Sequence, residues 1–155
     1  MDTVSAKKRS EVMVAVKSSG TKLEHFFAEQ LEARHLQSFE KNVKGLPGKP
    51  DFVFTDAKIA IFIDSCFWHG CAKHLRMPAS NEKYWKAKIS RNRRKDRQVT
   101  DELHRNGWVV LRIWEHSLKK PRALKWWLTR IENLLTAKKV AIIDTAICIA
   151  QQNQE

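Results

Sequence analysis

Apolar positions recur at helical spacing early in the chain. Thr21 and Glu24 form a capping-box pattern, which predicts a helix over residues 21–35 with one apolar face on the core. The apolar positions of this helix are Leu23, Phe26, Phe27 and Leu31. Closing the cap is a sufficient structural reason for Glu24, and a role near a metal ion is the alternative for the same residue.

Three short apolar runs follow, at residues 39–43, 52–54 and 59–63, with turn residues between them. They predict three strands, and because the connections are short, the strands should form an antiparallel meander. Residues 81–105 then carry apolar positions at helical spacing among many basic residues, and Gly107 ends that helix.

The remaining elements are a strand and a helix. Residues 108–114 are nearly all apolar, which is typical of a buried strand reached by a helical crossover. Pro121 opens a further helix, in which Trp126 and Trp127 are interpreted as mainly core. The predicted fold class is α/β, as an α+β arrangement with a mixed sheet, in the order helix, three strands, helix, strand, helix.

Length and composition place these elements in one domain. A chain of 155 residues has room for a single core. We predict a basic arm over residues 1–20, a folded domain over 21–139 and a C-terminal tail over 140–155 that packs loosely. No apolar run approaches the ~20 residues that span a bilayer, and no basic-then-apolar leader opens the chain, so a soluble cytoplasmic protein is expected.

The charge balance points to a partner. The chain has 29 basic and 17 acidic residues and a formal net charge of +12. Such an excess favours a polyanion, with nucleic acid as the leading candidate, whereas charge for solubility alone is the alternative. Many of the basic residues, Arg93 and Arg97 among them, crowd the long helix.

Two thiols and an imidazole stand close together at Cys66, Cys71 and His74. This set suits tetrahedral zinc, and His116, just past the buried strand, is a plausible fourth ligand. A closed set of four protein ligands would be structural, because a catalytic zinc keeps one position open for water. The alternative interpretation is a pair of buried thiols beside a surface histidine.

Two aspartates flank the predicted strands. Asp51 precedes the second strand and Asp64 follows the third, so both carboxylates should meet at one edge of the sheet. Magnesium takes carboxylate and carbonyl oxygens, with water completing its coordination. An aspartate in a turn before a strand is common, so Asp51 by itself also fits a structural turn residue.

His69 lies between the two cysteines. Its pKa range suits a general base acting on water, and a further zinc ligand is the alternative. Asp96 on the basic helix could orient that imidazole. Taken alone, Asp96 fits better as a surface charge paired with Arg93 or Arg97.

Three aromatic residues adjoin the same region. Phe67 and Trp68 lie in a polar loop, and Trp85 begins the long helix. Aromatic wedges that enter a base step deform duplex DNA, and a mispaired step costs less to open. The alternative is that these rings cover the zinc loop.

Together these motifs resemble very short patch repair endonucleases, bacterial enzymes that nick DNA at thymine–guanine mismatches left by deamination of 5-methylcytosine. The resemblance runs from about Arg9 to Leu118. The matching blocks, in order, are Arg9-Ser10-x2-Met13, Thr21-x2-Glu24, Leu46-Pro-Gly-Lys-Pro-Asp51-Phe, Cys66-Phe-Trp-His69-Gly-Cys71, Tyr84-Trp85 with Lys88-Ile89, Asn92-x3-Asp96-Arg97, Gly107-Trp108 and Trp114-Glu115.

The resemblance implies a restriction-endonuclease-like fold and a role for each matching residue. Asp51 would bind catalytic magnesium together with the backbone carbonyl of Ile63. His69 would act on the attacking water with support from Asp96, and Glu24 would lie near the site. The zinc would be structural, held by a loop whose ligands we assign as Cys66, Cys71, His74 and His116.

The DNA-binding residues also follow from the resemblance. Phe67, Trp68 and Trp85 would enter the duplex beside the mismatch, and Met13 of the arm would approach from the minor groove. The chain departs from the family pattern at Asp64, which stands where some members have histidine. If it faces the metal, Asp64 would add a ligand, so the number of magnesium ions stays open.

The sequence thus predicts a magnesium-dependent endonuclease that nicks one strand 5′ of the thymine in a T:G mismatch. A restriction-type nuclease acting on matched DNA and a non-catalytic, zinc-stapled DNA-binding module are the alternatives. A monomer suffices to nick one strand. Mismatch-repair proteins are candidate partners, and a bacterial cytoplasmic, nucleoid-associated location is expected.

Overall fold

The computed structural model describes the backbone of residues 21–152 and the side chains of residues 21–140. Residues 1–20, with Met13 and the predicted arm, lie outside the described residues. The elements in order are α1 (Lys22–Glu32), β1 (Glu40–Lys41), β2 (Phe52–Phe54), β3 (Ile59–Asp64), α2 (Glu82–Arg105), β4 (Val109–Trp114), α3 (Glu115–Leu118) and α4 (Pro121–Gln152). The predicted order is confirmed, with the short helix α3 added.

The four strands form one mixed sheet in the order β1-β2-β3-β4. The first two pairings are antiparallel, and β3 pairs with β4 in parallel across the α2 crossover. This topology confirms the predicted fold class. In the parallel pair Asp64 lies opposite Trp114, so the segments that leave β3 and β4 start side by side at one edge.

Both faces of the sheet are covered. Ile59 and Ile61 of β3 pack with the apolar faces of α1 and α4, whereas Ala60 and Phe62 pack with α2. A strand buried on both faces reads as an unbroken apolar run, which explains the composition of β3. The larger of the two cores lies on the α1–α4 side, where its fully buried side chains include Phe27, Leu31, Phe52, Ile113 and Ile131.

Local chemistry explains the helix and strand ends. Thr21 caps α1, and the two-way capping box with Glu24 is present as predicted. The helix ends at Glu32, three residues before the predicted end, because His35 takes a left-handed conformation with φ 58°. Strand β1 is shorter than predicted, since Asn42 also has positive φ, at 54°.

One expectation about the C-terminal part is wrong. Trp126 is 59% exposed and so is not a core residue, although Trp127 packs against the main core. The helix that begins at Pro121 continues unbroken to Gln152, through the residue where a separate tail was expected to start. Among the described residues, no helix has both the length and the apolar character that crossing a bilayer requires.

Gly48 offers a test of how tightly the turn before β2 is packed. Its φ is +75°, and a Cβ there would lie 2.5 Å from Val99 Cγ1. We expect Gly48→Ala to lower the free energy of unfolding by about 1–3 kcal/mol, from backbone strain and overpacking. Gly45→Ala is the matched control, because no heavy atom lies within 4 Å of its added methyl group. Urea denaturation of both variants measures the difference, and equal stabilities would contradict this packing.

Candidate active site and metal centre

Asp51 lies where the chain enters β2, and the backbone of β3 holds it in place. Its N–H donates to the carbonyl of Ile61 over 2.9 Å, and the N–H of Ile63 donates to its Oδ2 over 2.6 Å. Its Oδ1 has no hydrogen-bond partner among the described residues. A carboxylate with one uncommitted oxygen beside the Ile63 backbone could hold a hard cation such as magnesium.

The pKa of Asp51 is raised to about 6. Burial is the largest cause, and the hydrogen bond from Ile63 opposes it. The negative charges of Glu24 and Asp64 raise the pKa further, while the charge of His69 lowers it. Because a bound cation would favour the ionised carboxylate, this site is electrostatically suited to taking one up.

Asp64 closes β3 and is almost fully buried, with 5% of its surface exposed. Arg112 of β4 donates from Nε to Asp64 Oδ2 and from Nη2 to Asp64 Oδ1, each over 2.7 Å. The sequence offers Asp64 as a further magnesium ligand, but in the structure both of its oxygens accept from Arg112. This ion pair accounts for a buried carboxylate without a metal.

Asp96 of α2 contacts the histidine that sequence analysis singled out. Its Oδ2 lies 2.7 Å from His69 Nδ1, and its Oδ1 lies 2.9 Å from Arg112 Nη2. The alternative of a surface ion pair with Arg93 or Arg97 does not occur among the described residues. The imidazole is therefore oriented through Nδ1, which leaves Nε2 as its second functional nitrogen.

The pKa values of this pair shift in opposite directions. Burial is the largest influence on His69 and by itself lowers its pKa, but the hydrogen bond to Asp96 and the charges of Asp64 and Asp96 raise the pKa overall. Burial likewise pushes the pKa of Asp96 up, yet its contacts with His69 and Arg112 bring it below the ordinary value. The net effect makes His69 a stronger base.

The loop after β3 is fixed to α2 at two points. Asn92 Nδ2 donates to the carbonyl of Trp68 over 2.9 Å. Gly70 has φ +70°, and a Cβ there would lie 2.7 Å from Ile89 Cγ2, so only glycine allows the loop to approach the helix this closely. His69 stands between these two points.

The predicted Cys/His set comes together in space. The ligand atoms of Cys66, Cys71, His74 and His116 all lie within 4.8 Å of one another. Cys66 Sγ is 3.1 Å from His116 Nδ1, and Cys71 Sγ is 3.5 Å from His74 Nδ1 and 3.8 Å from His116 Nδ1. The group links the loop after β3 to α3, two segments that start side by side because β3 and β4 are parallel.

The separations within this cluster fit one tetrahedral ion. Zinc–sulfur and zinc–nitrogen bonds of about 2.3 and 2.0–2.1 Å at tetrahedral angles put a sulfur and a nitrogen about 3.6 Å apart. The three measured sulfur–nitrogen separations bracket that value. The cluster could therefore hold a metal ion, and four protein ligands would leave no position open.

The pKa values of Cys66 and His116 in this cluster are shifted in opposite directions. Burial raises the pKa of the Cys66 thiol, and the neighbouring Cys71 adds to that shift. Burial and the positive charges of His74, Lys120 and Lys73 lower the pKa of His116, which favours the neutral imidazole that binds metals. A cation would in turn stabilise the thiolates.

Two adjoining cavities open beside Asp51 and His69. The first, of about 300 Å³, also has Lys49, Asn92 and Lys95 in its wall. The second, of about 370 Å³, is lined by His69, Asp96 and Trp114 and by the two arginines predicted to bind DNA, Arg93 and Arg97. A cleft with acidic groups on its floor and basic groups at its rim suits a phosphodiester with a metal ion.

The three predicted wedge residues form one aromatic cluster. Phe67 contacts Trp68 and Trp85 with ring centroids 5.0 and 5.3 Å apart, and the two tryptophans are 6.0 Å apart. All three are partly exposed, and the more exposed Tyr84 packs on Trp85 at 5.1 Å. The cluster does cover the loop, and it also presents ring surface to solvent, so both interpretations of these residues stay open.

Glu24 serves the helix cap and lies near the acidic site. Its Oε1 accepts from Thr21 Oγ1 over 2.9 Å, and it is buried, with 8% of its surface exposed. Its charge also raises the pKa of Asp51. The two roles weighed from sequence are thus compatible in one residue.

Arg112 is the site residue that sequence reasoning missed. It was counted as part of the nearly apolar stretch over residues 108–114, although a lone charge in a buried strand signals a buried partner. Its guanidinium also stacks over Phe62, 4.8 Å from the ring centroid. Lys49, in the turn before Asp51, was missed too, because its place in the cavity wall is visible only in the structure.

An acidic residue at a sheet edge, a histidine–aspartate pair and a Cys/His loop that could hold a metal ion are, on this topology, the features of a restriction-endonuclease-like endonuclease. A model of the family "DNA mismatch endonuclease Vsr" matches residues 1–75. The chain is also 36% identical to DNA mismatch endonuclease Vsr of Escherichia coli K12, over 72% of this chain and 71% of that protein. The chain belongs to the Vsr family of DNA endonucleases.

Other relatives of the chain are named type II nicking enzymes. The chain is 46% identical to type II nicking enzyme V.NaeI of Lentzea aerocolonigenes, over 70% of this chain and 68% of that protein. It is 40% identical to type II nicking enzyme V.NmeDIP of Neisseria meningitidis serogroup C, over 77% of this chain and 82% of that protein. The relatives of this chain therefore include a protein named for mismatches and proteins named for nicking.

The Cys/His cluster predicts metal content directly. We expect the purified chain to carry about one zinc ion and Cys71→Ser to lose most of it, because three ligands bind far more weakly than four. Mass spectrometry of the metals identifies the ion and counts it. His25→Ala is the matched control, since His25 is a described, exposed histidine that is not part of the cluster. Full zinc content in Cys71→Ser would contradict the assignment.

The raised pKa of Asp51 predicts a pH-dependent cost to stability. The pKa of Asp51 is about 6 in the folded protein, compared with an ordinary value of 3.8. Ionisation of this carboxyl therefore destabilises the folded state. The full cost is present above pH ~6, and it is nearly absent below pH ~4. In metal-free buffer we expect Asp51→Asn to be more stable than the parent by up to roughly 3 kcal/mol at pH 8.

The stability gain of Asp51→Asn should shrink as the pH falls through 6, because the parent carboxyl then becomes protonated and is uncharged like the asparagine. Urea denaturation at several pH values measures it. Asp56→Asn is the matched control, because Asp56 is exposed and should give no such trend. A gain independent of pH would contradict the electrostatic origin.

Proposed function

We propose that this endonuclease is magnesium-dependent and nicks one DNA strand 5′ of the thymine in a T:G mismatch. The observation that carries the proposal is the meeting of Asp51 and the Ile63 backbone with the His69–Asp96 pair around one cavity. The mismatch specificity rests on family membership and on the aromatic cluster. It would place the enzyme at the first step of very short patch repair of deaminated 5-methylcytosine.

Each residue at the cleft has a proposed role. Asp51 and the carbonyl of Ile63 would hold magnesium, which when bound supplies charge stabilisation at the phosphate and the leaving oxygen. His69 would accept a proton from the attacking water at Nε2, because Asp96 engages Nδ1. The water oxygen would then bond to phosphorus while one ester P–O bond breaks, and the leaving sugar oxygen would take up a proton from solvent.

The remaining groups would serve binding and structure. The Cys66–Cys71–His74–His116 cluster would hold a structural zinc, since four protein ligands leave no site for water. Arg93 and Arg97 would contact phosphates, so affinity should fall steeply with salt. Phe67, Trp68 and Trp85 would enter the base step, with Met13 on the minor-groove side.

A second candidate is a nick in fully paired DNA at a specific sequence. The relatives named type II nicking enzymes favour it. Both candidates use the same cleft and differ only in what the protein recognises. In either case a monomer suffices, because only one strand is cut. Mismatch-repair proteins are proposed partners for the first candidate function. Both candidate functions fit a protein of the bacterial cytoplasm.

The deciding experiment is strand-resolved cleavage of an end-labelled duplex with one T:G mismatch, in varied flanking sequence, beside its matched duplex. We expect one nick on the thymine strand with added magnesium and none without it. Omitting magnesium is preferable to EDTA, which would also remove a structural zinc. Cleavage of the matched duplex would favour the second candidate, and binding without cleavage in any context would overturn both.

Two substitutions test the roles. We expect His69→Ala to lose about 10²–10⁴-fold in rate, as removal of a general base does. Asp51→Ala should abolish nicking while sparing DNA binding. The matched controls are His25→Ala and Asp56→Ala, which alter exposed residues away from the cleft. Retained nicking in Asp51→Ala would overturn the magnesium assignment.

A further inference from the structure

Arg112 stands between two carboxylates that come from different elements. Its side chain is 21% exposed and reaches Asp64 at the end of β3 and Asp96 on α2. Three contacts of 2.7, 2.7 and 2.9 Å use its Nε and Nη2. An arginine that binds one carboxylate with two nitrogens and shares one with a second fixes both in orientation.

The two carboxylates compete for one nitrogen of His69. Asp96 Oδ2 lies 2.7 Å from His69 Nδ1, and Asp64 Oδ1 lies 3.6 Å from the same atom. Only a small movement of Asp64 would let it replace Asp96. Asp64 accepts two hydrogen bonds from Arg112, which hold it at the longer distance.

We propose that Arg112 is a positioning residue for the nicking reaction. It holds Asp64 away from His69, so that Asp96 is the hydrogen-bond partner of Nδ1. The inference rests on the proposed role of His69 as the base. Removing the guanidinium would leave a buried carboxylate without its partner, and the imidazole of His69 lies within 3.6 Å of Asp64 Oδ1, close enough to move into hydrogen-bond contact with it. His69 would then be drawn from its working orientation.

A double-mutant cycle tests this inference, with single-turnover nicking rate and duplex affinity as separate readouts. We expect Arg112→Gln to lose about 10–100-fold in rate, the order of effect that misplacing a catalytic group has. Its dissociation constant for the duplex, measured without magnesium, should stay within about threefold, because Arg112 acts through His69 and not on DNA.

The cycle also includes Asp64→Asn alone and the rescue variant, Asp64→Asn with Arg112→Gln. The rescue variant removes the competing charge, so we expect its rate to return to within about fivefold of the parent. Arg112→Lys, which keeps the charge but not the two-nitrogen contact, should fall between the parent and Arg112→Gln. Arg122→Gln, on the exposed start of α4, is the matched control and should change neither readout.

The outcomes separate cleanly. An unchanged rate in Arg112→Gln overturns the inference. So does a double variant that is folded, by zinc content and thermal unfolding, yet remains as slow as Arg112→Gln. If Arg112→Gln does not fold, the double variant and Arg112→Lys decide: rates in the expected ranges support positioning, and a double variant more than about tenfold below the parent overturns it.

Failure of the proposed function would look different. An active His69→Ala overturns the base assignment itself, whereas an inactive His69→Ala beside a fully active Arg112→Gln overturns only the role of Arg112. The cycle is run on whichever duplex the parent nicks, mismatched or matched. The inference about Arg112 is thereby tested independently of the recognition specificity.

Discussion

The parallel pairing of β3 with β4 is the constraint on which the site depends. Because Asp64 and Trp114 lie opposite each other in this pair, the loop after β3 and the helix after β4 begin at the same sheet edge. That edge receives Cys66 and Cys71 from one segment and His116 from the other. The helical crossover that parallel strands require is α2, which carries Asp96 to the same place.

The loop after β3 connects the two centres of the molecule. His69 lies between Cys66 and Cys71 in the chain, so the cluster that could hold a metal also restrains the backbone of the proposed base. Gly70 and Asn92 add the contacts with α2. Occupation of the Cys/His cluster would therefore influence catalysis by positioning, without taking part in the chemistry.

The cleft concentrates buried charge that the fold by itself accommodates poorly. The raised pKa of Asp51 reflects that cost at the start of β2, while Arg112 compensates the charges of Asp64 and Asp96. Such perturbed groups cluster at functional sites because the chemistry needs them there. Family membership agrees with this interpretation, since the relatives carry names of mismatch and nicking endonucleases.

The sequence by itself determined the element order, the capping box at Thr21 and the Cys/His set, because periodicity, cap chemistry and ligand spacing are local properties. The family resemblance supplied the proposed roles of Asp51, His69 and Asp96. Only the tertiary structure revealed Arg112, since its partners lie 48 and 16 positions away along the chain, on separate elements.

Local pattern misjudged Trp126 and did not indicate that the last helix continues past residue 140. Which side of a helix meets the core, and which charge meets which, are decided by packing between distant segments. For this protein the local chemistry specified the parts, and the β3–β4 pairing decided how they meet.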